Sequence, residues 1–410
     1  MDADSDLERP PYLREPRRAP RRSSTRRRGP RRSAPKPRKL VWFPLLALLF
    51  LAPAIYSWGE YVSRPSSLPV GVNSVEWLRV HHFNWLVDDV EHYYYSWKAP
   101  KKGGPGLTTL PSVGIVDDHP HKHRHKSSYL PPNVKPVFAA PLPHEGEWRA
   151  SGPPVKGGPP VLVTNYRPEK AYPQIVAYLA WFDHTRTASA YYPGRYEPPT
   201  AALRGPAEVP QSQRDRLLAT FNGGFIYADG LNGDALNGVT NEPFKKGNAT
   251  VVAYKNGRVN IVSWNGGPTA GKNIAWARQS LPLIVNHGKL NPALDLGTEW
   301  GYTLGNAVRV WRTGLGIDKH GNLIYAAAND QTVITLAKIL QHAGAVRAME
   351  LDINPEWYTM ITYRHEHGTI VPTQVAYNYQ QPSTRYLVPD DRDFFAVYRR
   401  LPGAVTVPLN

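Results

Sequence analysis

Twenty consecutive residues without a charge, Leu40 to Gly59 (LVWFPLLALLFLAPAIYSWG), divide this 410-residue chain before any other feature is considered. As a helix they would span roughly 30 Å at about 1.5 Å per residue, the thickness of a bilayer's hydrocarbon core. Trp42, Tyr56 and Trp58 stand near the two ends, where aromatic side chains favour the membrane interface. The segment reads as one transmembrane helix over 40–59, bent by Pro44 and Pro53. A cleaved leader ending near Ala52-Pro53-Ala54 is the alternative, for which both the apolar run and the 39-residue lead-in are long.

That lead-in carries 14 Lys and Arg against 5 Asp and Glu, so +9 of the chain's formal +16 sits in residues 1–39. With its prolines and serines and almost nothing apolar to bury, it is expected to be disordered. Arginines before a span place the tail in the cytoplasm and residues 60–410 outside a cell membrane, as a single-pass protein. They also suit anionic lipid headgroups, so membrane lipid is an expected partner and nucleic acid is not. The absence of cysteine excludes disulfides, thiolate metal sites and thiol nucleophiles, leaving oxygen and nitrogen groups for any chemistry.

Beyond the span, Ser74 can cap an amphipathic helix running to about Trp97 within a juxtamembrane segment, 60–100. A Pro/Gly/His-rich connection, 101–135, follows. Its alternating His119, His121, His123 and His125 resemble metal ligands, but Lys122 and Arg124 between them oppose a cation, so a solvated basic loop is the stronger reading.

The remaining residues, 136–410, are written in short runs of Val, Ile, Tyr and Trp broken by Gly, Asn and Pro. Strands are expected at 161–165, 174–182, 250–254, 258–263 and 322–327, with turns at Lys255-Asn256-Gly257-Arg258 and Asp318-Lys319-His320-Gly321. One helix is clear: Thr332 to His342 places Val333, Leu336, Ala337 and Leu340 on one face and meets Gly344 as its stop. The fold class is α+β, a strand-rich mixed globular domain.

That helix leads into Ala345–Ile353, read as a strand. Alternation puts Ala348, Glu350 and Asp352 on one face, with Met349, Leu351 and Ile353 on the other facing the core. Mutual repulsion between two carboxylates at neighbouring positions would raise one pKa and favour an acid/base pair, and a plain surface strand with two solvated acids is the alternative. Earlier in the chain, Ala219–Asn241 passes through Asn222-Gly223-Gly224-Phe225, Asn232-Gly233 and Asn237-Gly238. Such a loop can bring backbone N–H groups close to a ligand or can simply turn hairpins; it matches no nucleotide-binding fingerprint.

Four motifs in order are similar to those of the phosphodiester glycosidase family: Asn222-Gly223-Gly224-Phe225; Leu281 to Lys289 (LPLIVNHGK); Arg312-Thr313-Gly314-Leu315-Gly316-Ile317-Asp318; and Gly344-Ala345 leading to Leu351-Asp352. The resemblance covers about 145–400 and implies hydrolysis of a sugar-1-phosphodiester linkage in an envelope or exopolysaccharide glycan of a bacterial cell. It names no cofactor and leaves a metal unassigned. By its motifs Asp352 and Arg312 would be catalytic and Asn222 and Gly223 would contact substrate; Glu350, standing where many relatives carry Asn, is a further catalytic candidate beside Asp352, and Gly224 and Thr313 are further substrate-contact candidates. Arg312 can hold two oxygens of a phosphodiester, and Asp352 or Glu350 can act as general acid or nucleophile at the anomeric carbon. Where the family continues Asp-Gly-Gly-Gly-Ser, this chain has Asp352-Ile353-Asn354-Pro355-Glu356-Trp357, so the substrate geometry must differ. Trp357 there is either a stacking platform for a sugar ring or a core residue. A noncatalytic carbohydrate-binding or scaffolding protein with the same fold is the competing expectation.

Overall fold

The computed structural model describes residues 42–66, 68–114, 129–227, 233–300 and 309–401. The basic tail and the histidine run 119–125 lie outside the described residues. Helix α1, Trp42–Val62, covers most of the expected span, whose residues 40 and 41 also lie outside. Among the described residues no helix is long and apolar enough to cross a membrane. The chain divides between Tyr56 and Ser57, and residues 57–410 form the unit described below.

In place of one amphipathic helix from Ser74 there are two, α2 (Val70–Val80) and α3 (Asn84–Lys98). The break lies at His82, whose left-handed φ of 65° turns the chain while the Phe83 N–H donates to Leu78 O. Ser74 is no cap: it lies inside α2, donating to Val70 O and accepting from Trp58 Nε1.

The first strands are β1 (Arg149–Ala150), β2 (Val161–Tyr166), β3 (Ala177–Phe182), β4 (Thr187–Tyr192) and β5 (Leu217–Asn222). The middle of the chain adds β6 (Asp234–Leu236), β7 (Val239–Glu242), β8 (Asn248–Tyr254), β9 (Val259–Ser263), β10 (Ile274–Pro282), β11 (Val285–Asn286) and β12 (Lys289–Leu290). After β13 (Val310–Asp318) and β14 (Leu323–Gln331), helix α4 (Val333–His342) leads into β15 (Ala345–Glu350). Strands β16 (Met360–Glu366), β17 (Thr369–Gln374) and β18 (Phe394–Arg399) complete the described regular structure.

Among the described residues these strands form three sheets. An eight-stranded sheet has the order β1-β2-β3-β14-β13-β15-β11-β12; the two five-stranded sheets run β7-β6-β10-β8-β9 and β17-β16-β5-β18-β4. Helix α4 covers one face of the large sheet. It begins at a reciprocal capping box between Thr332 and Thr335 and stops before Gly344, whose φ is 96°. Its buried Val333, Leu336, Ile339 and Leu340 each contribute about 1.5–3 kcal/mol of burial. Gly314 and Gly316 on β13 allow that contact, since a Cβ on Gly314 would lie 2.8 Å from Leu340 Cδ1. The opposite face packs on the two smaller sheets through Phe182, Leu315, Tyr325, Met349, Phe221, Phe395, Val251 and Trp276.

The large sheet is therefore covered on both sides. Strand β15 does not present one apolar and one polar face: Ala348 packs toward the α4 side and Met349 toward the smaller sheets, and Glu350 between the layers is fully buried. The β8–β9 hairpin forms as expected, with positive φ at Gly257 (78°) alone and not at Asn256.

Candidate active site

The site lies where β5, β13 and β15 end side by side and where the chain enters β18. Pairing sets this: Gly314 faces Glu350 across β13 and β15, and Phe394 faces Asn222 across β18 and β5.

Asn222 is 2 % exposed and spends its whole amide on the protein. Its Oδ1 accepts from Tyr325 Oη (2.8 Å) and Thr359 N (3.2 Å), while Nδ2 donates to Thr313 Oγ1 (3.0 Å) and Gly223 O (3.0 Å). Thr313 Oγ1 in turn donates to the Asp352 carbonyl at 2.6 Å, and the Asp352 N–H donates to Gly223 O at 3.2 Å. Asn222 and Thr313 thus fix the backbone of Asp352. The two glycines serve packing: a Cβ on Gly223 would lie 2.2 Å from Asp393 Oδ2, and one on Gly224 would lie 3.1 Å from Arg278 Cζ. Arg278 bonds Asp393 Oδ2 at 2.7 Å and the Phe225 carbonyl at 2.7 Å, with no exposed surface.

Arg312 and Glu350 form an equally buried pair, Nη1 to Oε1 at 2.5 Å, and Arg312 Nε donates to Gln331 O. The expectation that Arg312 would face a phosphodiester meets a guanidinium already held by Glu350 and a carbonyl beneath the loop. Glu350 Oε2 has no partner, and burial pushes this carboxyl up to about 7 against the pull of Arg312. The expected mutual repulsion with Asp352 is present as a smaller contribution.

Asp352 lies just past β15, with Oδ1 accepting from Asn354 N (3.0 Å) and Oδ2 from Arg392 Nη2 (2.6 Å). Burial raises its pKa, opposed chiefly by Arg392. Neither it nor Glu350 is a solvated surface acid; their relative exposures are 6 % and 0 %.

Arg392, unforeseen in the sequence, is the centre of the arrangement. The carboxylates of Asp352, Glu197, Glu76 and Asp393 all act on its charge. Arg392 and Arg385 both lie over the ring of Trp357, at 4.7 and 5.1 Å, so this ring is a buried cation–π partner and not an open sugar platform. Arg392 Nε has no hydrogen-bond partner, while the Trp357 indole N–H serves the Glu76 carboxylate, opposing the rise that burial imposes on it. Both residues line one small cavity of about 40 Å³, whose wall also includes Glu197, Asp391, Asn73 and Glu76. Glu197 accepts from Tyr227 N, and burial pushes its carboxyl up to about 7.

Asn73 and Glu76 belong to α2, which roofs the cavity. Before that helix, Ser66 Oγ donates to Asp391 Oδ2 (2.5 Å) and Tyr196 Oη to Pro65 O (3.1 Å), seating the segment on the domain. The enclosed space holds a few waters, against the roughly 300–1,000 Å³ of ordinary ligand pockets. In Asp390-Asp391-Arg392-Asp393, three acids around one arginine at the mouth of an apolar strand were the available sequence signal; Glu76 and Glu197 carried none. Among the described residues no cluster of His, Asp and Glu suits a metal ion.

Residues 215–352 match the sequence profile of the phosphodiester glycosidases. That stretch holds Asn222, Gly223, Gly224, Arg312, Thr313, Glu350 and Asp352, and ends before Trp357 and Arg392. The chain is also similar to the catalytic domain of zebrafish N-acetylglucosamine-1-phosphodiester α-N-acetylglucosaminidase, described as auto-inhibited by its pro-peptide, at 14% identity over 62% of this chain and 88% of that one, with a TM-score of 0.42. A hypothetical protein from Synechocystis aligns at 13% identity over 62% of this chain and 65% of its own, TM-score 0.35. An exported protein of Burkholderia pseudomallei aligns at 11% over 55% and 74%, TM-score 0.28. No protein of curated function matches.

Proposed function

We propose that this chain, which resembles the phosphodiester glycosidases over 215–352, hydrolyses a sugar-1-phosphodiester linkage in an envelope glycan while residues 40–59 anchor it to a cell membrane. The observation that carries the reading is the buried Arg392 Nε–H, which has no partner, on a residue that lines the small cavity with Trp357 and Glu197 and whose Nη2 holds the Asp352 carboxylate. An unsatisfied buried donor costs free energy, and an oxyanion such as a phosphodiester oxygen satisfies it.

In this reading Arg392 holds the phosphate and keeps Asp352 ionised. Asp352 attacks the anomeric carbon or activates water there, and the C–O bond to phosphate breaks. The phosphomonoester leaves with the bonding electrons and water supplies the hydroxyl of the free sugar. Glu197 supplies a proton to the leaving oxygen when the departing group needs one. Arg312 and Glu350 act from beneath, with Asn222 and Thr313 setting the Asp352 backbone. Because the cavity is too small for a sugar, α2 must withdraw for turnover. The same closure favours the second reading, a noncatalytic glycan-binding protein of this fold.

The test is release of free sugar by the detergent-solubilised full chain from a panel of sugar-1-phosphodiesters, comparing wild type with Asp352→Asn and Arg392→Ala. Activity lost in both variants is expected. A folded wild type that binds glycan without turnover on any member would overturn the hydrolase reading. Anchoring is tested separately: the full chain should partition with membranes, and replacing Leu45, Leu46, Leu48 and Leu49 by Asp should release it.

A further inference from the structure

At the far end of the same strands lies a larger cavity, of about 730 Å³, lined by the β3–β4 turn, the β8–β9 hairpin, the β13–β14 turn and the start of β15. From Glu350 back to Val346 is four residues of strand, roughly 13 Å, so this cavity and the Asp352 site are separate.

Its charge is one-sided. Arg258, Lys319, Arg347 and Arg400 line it, against the single carboxylate of Asp318. Asp318 is saturated from behind: Oδ1 accepts from His320 N and Asn322 N, and Oδ2 from Asn322 Nδ2 and Trp181 Nε1. Among the described residues none of the four cations has a carboxylate partner. Arg347 bonds Ile261 O (2.6 Å) and Asn260 Oδ1 (2.6 Å), and Arg400 bonds Thr187 O (3.0 Å), all neutral acceptors that leave the positive charge uncompensated. Partial burial pulls the Arg400 guanidinium below its ordinary pKa, opposed by Asp183, which is itself bound by Arg186. Arg258 and Lys319 are exposed at the rim. Several of the domain's arginines are matched to acids, as in Arg167–Glu145, Arg309–Glu169 and Arg385–Asp390, while Arg204 and Arg216 bond neutral acceptors. What sets this cavity apart is that four cations converge on one space.

The geometry points to a second, noncatalytic binding site here, for an extended ligand bearing two or more phosphate groups, held by Arg258, Lys319, Arg347 and Arg400. The volume falls within the usual range for a ligand pocket, and several cations converging without carboxylates create a positive field that concentrates such an anion. Guanidinium groups favour the paired oxygens of phosphate. The site stands independently of the hydrolase reading and survives its failure.

The probe is inorganic tripolyphosphate, titrated calorimetrically into the full chain in detergent at low and moderate salt. Saturable binding that weakens as salt rises is expected, with at least a tenfold loss in Arg258→Ala/Lys319→Ala. Both positions are exposed, so the variant should keep the wild-type fold and its circular dichroism. Arg392→Ala, once its circular dichroism shows the wild-type fold, should bind tripolyphosphate as the wild type does, and a parallel fall in that folded variant would assign the anion to the Asp352 site and overturn the proposal. So would no saturation at millimolar probe, or unchanged affinity in the double variant. In a second arm, monovalent phosphate should bind at least tenfold more weakly than tripolyphosphate; equal affinities would refute the multivalent ligand.

Discussion

Replacing Arg392 by Met removes the one cation shared by Asp352, Glu76 and Glu197 while retaining most of the apolar bulk beside Trp357. Asp352 then keeps only the Asn354 N–H as a polar partner, at a position 6 % exposed. Breaking a buried pair by deleting one partner costs about 3–5 kcal/mol, because the other charge is left uncompensated. The cost must depend on pH. Burial already raises the Asp352 pKa in the folded chain, and losing Arg392, its largest opposing influence, raises it further. A carboxyl whose folded pKa exceeds its unfolded one binds more protons when folded, so its contribution to stability falls as pH rises through the interval between the two values. The variant should therefore lose about 3–5 kcal/mol at pH 8 and less at pH 5. Adding Asp352→Asn should restore part of the loss at pH 8 and little at pH 5. Urea unfolding of wild type, single and double variants at both pH values checks this. An equal loss at pH 5 and pH 8, or no rescue by Asn, would refute the view that Arg392 neutralises Asp352.

Glu76→Ala should loosen α2 over the cavity and lower KM for a sugar-1-phosphodiester severalfold, measured by sugar release; an unchanged KM would show that α2 does not limit access. Glu197, with its carboxyl near 7, should give kcat/KM a limb that falls above about pH 7 and disappears in Glu197→Gln. Gly223→Ala places a methyl group against Asp393 Oδ2 and its carbonyl, and should cost about 1–3 kcal/mol or more in urea unfolding. Glu350→Gln on an Arg312→Met background should regain stability lost by Arg312→Met alone, since it removes the buried charge left behind.

Much of the local structure was legible because it obeys local rules. Thr332 to Gly344 carries a cap, an apolar stripe and a glycine stop, and folds as α4. Lys255-Asn256-Gly257-Arg258 turns a hairpin, and the segment from Ala345 pairs as a strand. The errors arose where a second layer intervenes. Alternation along 345–353 gives one apolar and one polar face only if one face meets water, and here both are covered. Trp357, open between platform and core, was settled by Arg385 and Arg392, which are distant from it in sequence. Helix α2 had a readable apolar pattern, but nothing in Val70–Val80 shows that Glu76 sits above a cavity whose other wall starts at Glu197. Asn222, Thr313 and Asp352 were gathered by motif order, and their division of labour came only from the bonds between them.

The missing glycines after Asp352 find their explanation in the same bonds. Loop glycines are required where φ is positive or where a Cβ would collide, and none of residues 353–357 adopts a positive φ. The turn is built instead from consecutive side-chain caps: Asp352 Oδ1 accepts from Asn354 N, and Asn354 Oδ1 accepts from Glu356 N at 2.9 Å. Pro355 fits because no backbone N–H is needed between those two bonds. This loop exchanges backbone donors, which glycines would offer to a ligand, for the side chains of Trp357 and of Arg392, whose Nε has no partner. In the proposed hydrolase a phosphate held there would be recognised by Arg392 beside Trp357, two positions that a profile ending at Asp352 does not reach.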